Sequence, residues 1–161
     1  MFESVEMINK ILNKLELNQV SEMCIEPLNI NYESCIFKIN KEKYRSRKAK
    51  KTPSKKGYFT VFWLKNENDK NRPYTLNETP EKLIITIIDG KKIGQFVFPR
   101  EVLLKQDILK TERVKGKMAM RVYPDWETEL NKTAEHTRKW QSDYFIDFTD
   151  EINKDKLIRL Y

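Results

Sequence analysis

Between Lys41 and Lys56 the chain sets nine of its 31 Lys and Arg residues (Lys41, Lys43, Arg45, Arg47, Lys48, Lys50, Lys51, Lys55 and Lys56) against one acid, Glu42. That is +8 in sixteen residues of a 161-residue chain whose total is +7, so the other 145 residues sum to −1. The pI of about 9.3 thus has one local source. A concentrated positive field calls for a polyanionic partner, most often nucleic acid. Arginine supplies a planar fork for phosphate oxygens and lysine a flexible point charge, while Tyr44, Tyr58 and Phe59 offer rings that stack on bases or sugars. The expected ligand is double-stranded DNA, held by its phosphates through Arg45, Arg47, Lys48, Lys50, Lys51, Lys55 and Lys56. Little base specificity is expected, because no helix-turn-helix, zinc-finger or RRM signature is present. Two other readings compete: a strand edge kept charged against sheet-to-sheet aggregation, and an interaction module for an acidic protein or anionic lipid.

A divalent-metal-dependent nuclease on the same surface is the enzymatic alternative. It needs carboxylates to hold Mg²⁺ or Mn²⁺ beside the scissile phosphate, usually with a lysine. Asp89-Gly90-Lys91 gives an acid-x-Lys order next to a strand, and Glu33 and Glu81 stand at strand starts. A hairpin turn accounts for the same three residues, so no metal is assigned and Mg²⁺ enters only with the nuclease reading. His136, the only histidine, falls on a polar helix face with Thr137, Arg138 and Lys139, and any Ser-His-Asp arrangement would have to be built around it. Cys24 and Cys35 show no CxxC spacing, which argues against zinc. Four glycines form neither GxGxxG nor GxxxxGK[ST], so no nucleotide cofactor is expected. Tyr123, Trp126, Trp140, Tyr144, Phe145 and Phe148 could line a pocket, although their spacings suit a core. Whether any catalysis occurs stays open at this level.

The elements that position these residues are readable in outline. Val5, Ile8, Ile11, Leu12 and Leu15 recur at helical spacing behind Ser4, which predicts an amphipathic helix over 4–17 with Ser4 as its cap. Segments 32–39 and 43–48 flank the polar turn Asn40 to Glu42 as a hairpin, and period-two geometry puts Lys43, Arg45 and Arg47 on one face. Thr52 to Gly57 reads as an exposed turn, YFTVFWL (58–64) as a central strand, and the polar stretch 66–82 as an irregular connector. LIITII (83–88) and IGQFVF (93–98) surround Asp89-Gly90, a type I′ hairpin signal. A helix near 99–109, a strand at 118–123, a helix from Thr133 to about Phe145 and a short one within 150–160 complete the order. The expected fold is α+β, a largely antiparallel or mixed sheet of about four to five strands with helices packed against it.

One domain over 1–161 is expected, since a chain of this length buries about two thirds of its unfolded surface. The 39% apolar and 11% aromatic fractions support a folded core despite 34% charged residues. Acids where a secretory leader would be basic, two cysteines and no apolar run approaching the ~20 residues of a bilayer span together predict a cytoplasmic protein with reduced thiols.

Five strings, YESC (32–35), AKKTPSKKGYF (49–59), GQFVFP (94–99), RVYPDW (121–126) and WQSDYF (140–145), occur in one order that resembles the MepB-like proteins. The resemblance spans about residues 30–145. It implies a restriction-endonuclease-type fold and proximity to DNA. A proline-acid pair with acid-x-Lys in matching strands is missing from this chain, so the resemblance does not extend to cleavage.

Overall fold

The computed structural model describes residues 1–161. Eleven strands run β1 (Ser21–Ile25), β2 (Cys35–Ile39), β3 (Glu42–Lys48), β4 (Lys50–Lys51), β5 (Tyr58–Val61), β6 (Leu64–Lys65), β7 (Asn71–Arg72), β8 (Lys82–Asp89), β9 (Lys92–Pro99), β10 (Ala119–Val122) and β11 (Phe145–Asp147). Four helices are α1 (Glu3–Lys14), α2 (Arg100–Lys105), α3 (Lys132–Gln141) and α4 (Lys154–Leu160). The order in the main sheet is β1-β2-β3-β8-β9-β11, with β3 and β8 parallel and every other pair antiparallel. A second sheet has the order β10-β5-β4, and β6 and β7 form a two-stranded ribbon. This is an α+β fold with a mixed six-stranded sheet, one strand larger than the pattern suggests.

The β8–β9 hairpin is the sheet's spine because its β-branched and aromatic residues are buried on both faces. Pairing of Asp89 with Lys92 leaves Gly90-Lys91 as a two-residue turn, with Gly90 at φ +60° and Lys91 outside the positive region. That sign pattern belongs to type II′, with glycine at the first central position, and not to the expected type I′.

Two cores sandwich the sheet. On one face Val5, Ile8, Ile11 and Leu12 of α1 and Leu157 of α4 meet Phe37, Tyr44, Ile84 and Val97. On the other, Leu83, Ile85, Ile87, Phe96 and Phe98 meet Tyr58, Leu103, Val122 and Phe145 from the second sheet, α2 and β11. The small sheet therefore lies over the main one, and its outer face looks away from both cores.

Ser4 is not the cap of α1: Phe2 holds the N-cap position, and Ser4 is fully buried inside the first turn. Its backbone N–H and hydroxyl both donate to Glu33 Oε1 at 2.8 Å, so a carboxylate 29 residues away satisfies the helix's open donors. Phe145 to Asp147 leave the helical pattern after a 3₁₀ turn and pair with β9 as an edge strand. The connector 66–82 is more ordered than its composition suggests, since Glu78 holds Arg72 through two hydrogen bonds and caps the turn at Thr75. Those contacts, led by the Arg72 hydrogen bonds, hold the Glu78 carboxyl down to about 2. No helix is long and apolar enough to cross a membrane.

Candidate nucleic-acid interface

The basic stretch is divided at Ala49. Through Lys48 the strand pairs with β8 inside the main sheet; the buried Ala49 donates its N–H to Thr86 O at 3.0 Å; from Lys50 the chain pairs with β5 in the second sheet. One sequence run thus serves two sheets, and its halves meet different environments.

The first half, apart from the exposed Lys41 and Lys43, turns inward. Arg45 and Arg47 share the face covered by the second sheet and are only 6% and 0% exposed. Both grip Glu26, with Arg45 Nε at 3.2 Å and Arg47 Nη1 at 2.9 Å from Oε1. Arg47 also donates to Val61 O and Asn29 Oδ1, and the Arg45 guanidinium lies 3.8 Å from the centre of the Tyr74 ring. Burial works to raise the Glu26 carboxyl, but attraction to Arg45 and Arg47 prevails and holds it below the ordinary 4.5. Neither arginine can reach a phosphate, which corrects the expectation for these two residues. They face inward because β3 is a central strand with both faces covered, and a buried guanidinium is tolerated only beside a partner such as Glu26. Lys48 is on the opposite face, paired with Glu3 and 3.6 Å from Glu33, so it too leaves the expected set.

The second half turns outward. Lys50, Lys51, Lys55 and Lys56 are exposed. Alternation along β5 buries Tyr58 and Thr60 and leaves Phe59 on the outer face. Register then places Lys50 on one side of Phe59 and Arg121 on the other. Arg121 Cζ is 5.7 Å from the Phe59 ring centre, Tyr32 meets Phe59 edge-on at 6.2 Å, and Lys50 Nζ stands 4.7 Å from the Tyr32 ring. The row Arg121, Phe59, Lys50, Tyr32 alternates cation and ring across one outer surface.

Beside this row a cleft of 470 Å³ opens against α3, lined among others by Lys55, Phe59, Lys117, Arg121, Tyr123, His136 and Trp140. A neighbouring recess of 620 Å³ shares Lys55, Arg121 and Tyr123 and adds Lys56 and Glu129. The Asn131 side chain caps α3 by accepting from Ala134 N at 2.9 Å, which sets the helix so that His136, Thr137 and Trp140 face the cleft. The 52–57 loop is tied down by Lys56 Nζ donating to Thr128 O at 2.6 Å and Arg121 Nη1 donating to Lys56 O at 3.1 Å. At Gly57 a Cβ would meet the Tyr123 ring at 2.8 Å, so glycine is required where the loop crosses that ring. Burial raises the Tyr123 phenol above its ordinary value.

The MepB-like family profile matches residues 26–147, three quarters of the chain and all of the elements that build the cleft. The chain belongs to the MepB-like family. Among solved structures it is similar to a crystal structure of MepB, at 43% identity and a TM-score of 0.82, covering 94% of this chain and all of that one. A bacterial homing endonuclease is similar at 12% identity and a TM-score of 0.46, covering 85% of each chain. No curated protein matches.

In this MepB-like chain the carboxylates considered for metal do not converge. Glu33 caps α1, and Asp89 accepts from the Tyr58 hydroxyl at 2.7 Å with Lys51 at 3.8 Å. No group of three His, Cys, Asp or Glu side chains is arranged to hold an ion. His136 lies at the cleft, among cations and without a carboxylate hydrogen bond. Lys117 and Arg121 join the lining of the cleft although they lie far along the chain from the basic run. A signal for Arg121 existed, because period two in MAMRVY separates Ala119, Arg121 and Tyr123 from the buried Met120 and Val122; only the pairing of β10 with β5, which sequence does not disclose, brings it beside Phe59. Cys24 is exposed and Cys35 fully buried, with burial raising the Cys35 thiol to about 11. A thiol-specific reagent on the folded protein should therefore label one cysteine rapidly, and peptide mapping should identify it as Cys24; rapid labelling of both would contradict this placement of β2.

Proposed function

We propose that this MepB-like protein binds nucleic acid, DNA in the first instance, through the outer face of the second sheet and the cleft beside α3. The contacts assigned are Lys50, Lys51, Lys55 and Lys56, joined by Lys117 and Arg121, acting on phosphates, with Phe59 and Tyr32 as ring surfaces. The observation that carries this reading is the alternation of cations and rings along Arg121, Phe59, Lys50 and Tyr32, next to a cleft that no carboxylate lines and a recess whose one carboxylate, Glu129, is itself 90% exposed. Lysines placed only to protect a strand edge have no need of rings between them. Phosphate contact positions a ligand without reading its sequence, so low base specificity follows. The setting we propose is the cytoplasm, where Cys24 and Cys35 stay reduced.

A salt titration of binding, followed by fluorescence anisotropy on a labelled duplex, tests this. With five or six phosphates met, log K should fall against log salt with a slope of about −5. A slope near zero, or binding that excess duplex does not compete away, would instead favour an acidic protein partner or no electrostatic ligand at all.

A further inference from the structure

From the outer edge of the main sheet we infer that the chain associates with a second copy of itself, β1 against β1 in antiparallel register about a twofold axis at Cys24. The two edges of this sheet differ. At β11 the first two residues of three are buried, whereas all five residues of β1 are exposed. Three of the six large apolar side chains that the molecule exposes, Met23, Ile25 and Ile30, fall on β1 and the 3₁₀ turn Ile30–Tyr32 behind it. An edge strand is ordinarily blunted by lysine, proline or a bulge. β1 has neither lysine nor proline, and its one irregularity, between Ser21 and Cys24, is taken up at Glu22 with φ +51°. Met23-Cys24-Ile25 is left as an uncharged stretch with an open side.

The parity of the ladder makes this stretch complementary to itself. Glu26 donates its N–H to Ser34 O at 3.0 Å, and Cys24 stands two residues away opposite Ile36, so both turn their main-chain groups toward β2. Those of Ile25, and of Met23 by alternation, point to the open side. A twofold axis at Cys24 then pairs Met23 with the partner's Ile25 and Ile25 with the partner's Met23, each pair exchanging two main-chain hydrogen bonds. An axis at Met23 would set Ile25 against Ser21, and one at Ile25 would set Met23 against Pro27, which has no N–H to give. Ile25 stands opposite Cys35 of the α1 core, so both members of each pair lie on that face, apolar against apolar. On the other face Glu22 is set opposite the partner's Glu26. Each acid already has cations of its own chain, Lys38 at 2.8 Å from Glu22 and Arg45 and Arg47 on Glu26, which offset the repulsion. The two main sheets then run on as one, with both second sheets on the same side.

So short a ladder makes a small interface, and association is therefore weak and concentration-dependent. Sedimentation velocity from micromolar to near-millimolar protein tests it, the average mass rising from 19.4 kDa toward twice that value. Ile25→Lys should weaken association about tenfold, since the axis counts each lost pair twice, and should leave the melt unchanged because Ile25 is 51% exposed. Met23→Lys repeats the test at the other half of the pair, and Ile158→Lys, a similarly exposed residue of α4, should leave association unaltered. Cys24 reports the register. At the axis its thiol faces the partner's Cys24 across a non-hydrogen-bonded pair, with Cα atoms about 4.5 Å apart, so a short bis-maleimide should bridge the two as thioethers. Cys24→Ser should abolish the bridge, and the buried Cys35 does not compete. A mass that stays at 19.4 kDa throughout, a dimer that Ile25→Lys and Met23→Lys leave intact, or one whose Cys24 thiols the reagent does not bridge would each overturn the inference. None of these results bears on the proposed nucleic-acid reading.

Discussion

Replacing Glu26 by Gln should lower the melting temperature by about 10 °C or more, the largest single-site effect expected in this protein. The change keeps the side chain's shape and removes the charge that both Arg45 and Arg47 grip. Removing one partner of a buried ion pair typically costs about 3–5 kcal/mol, because the remaining charge stays out of water uncompensated. Here one carboxylate compensates two guanidinium groups, neither exposed enough to recruit solvent. For a chain of this size each kcal/mol moves the midpoint by roughly 2–4 °C. The same pair sets an acid limit. Because the folded Glu26 carboxyl titrates below 4.5, its stabilisation is complete above that pH and is lost as pH falls through the lower folded value. Glu78, held near 2 by Arg72, adds a second contribution lost between about 4.5 and 2. Thermal melts from pH 7 down to pH 2 should therefore fall steeply for the parent protein and less steeply for Glu26→Gln. A variant that melts within about 2 °C of the parent at pH 7 would show that the clamp does not hold the fold.

Reversal of Lys50, Lys51 and Lys55 to Glu should weaken nucleic-acid binding by about 10²–10³-fold near 0.1 M salt. Each phosphate contact contributes about 0.9 to the salt exponent, which at this salt is close to one decade of affinity per contact. All three lysines are exposed, so the melt should stay within a few degrees. Three reversals change the net charge by two units each, from +7 to +1, and a fall in affinity could come from that change alone. The control is the same reversal at Lys10, Lys14 and Lys154, exposed on the helices that cover the opposite face of the main sheet. It gives an equal net charge and should leave affinity within a few fold. Equal losses in both triple variants would mean that the ligand responds to the field of the whole molecule and not to this face. Arg45 and Arg47 are unsuited to such a test, since a carboxylate at either position beside Glu26 would unfold the chain before it reported on binding.

The parts of this fold that sequence discloses are those in which local pattern and burial agree. The β8–β9 hairpin, α1 and the turn at Asn40 follow from periodicity and turn residues, and the basic run is visible to any count of charges. Which way its side chains point is not. Neither face of KYRSRK is apolar, so alternation separates Arg45 and Arg47 from Tyr44 and Ser46 without saying which set is inside. The deciding partner, Glu26, lies 19 and 21 residues upstream in a segment with no periodic signal. Glu33 likewise has the residue type of a metal ligand, and its service to α1 is visible only in three dimensions. The second sheet assembles from segments near residues 50, 60 and 120, so the row of cations and rings exists in no window of sequence.

Ala49 also fixes a parity. Arg45, Arg47 and Ala49 all face the inner layer, and counting by two along the strand leaves Lys50 outside. One residue added or removed at this joint would turn Lys50 from the outer face toward the inner one and out of step with Phe59 and Arg121. Chain length can therefore drift in the 52–57 or 66–70 loops, whereas at the crossing between sheets only changes by an even number keep the ligand-facing side in phase with the clamp.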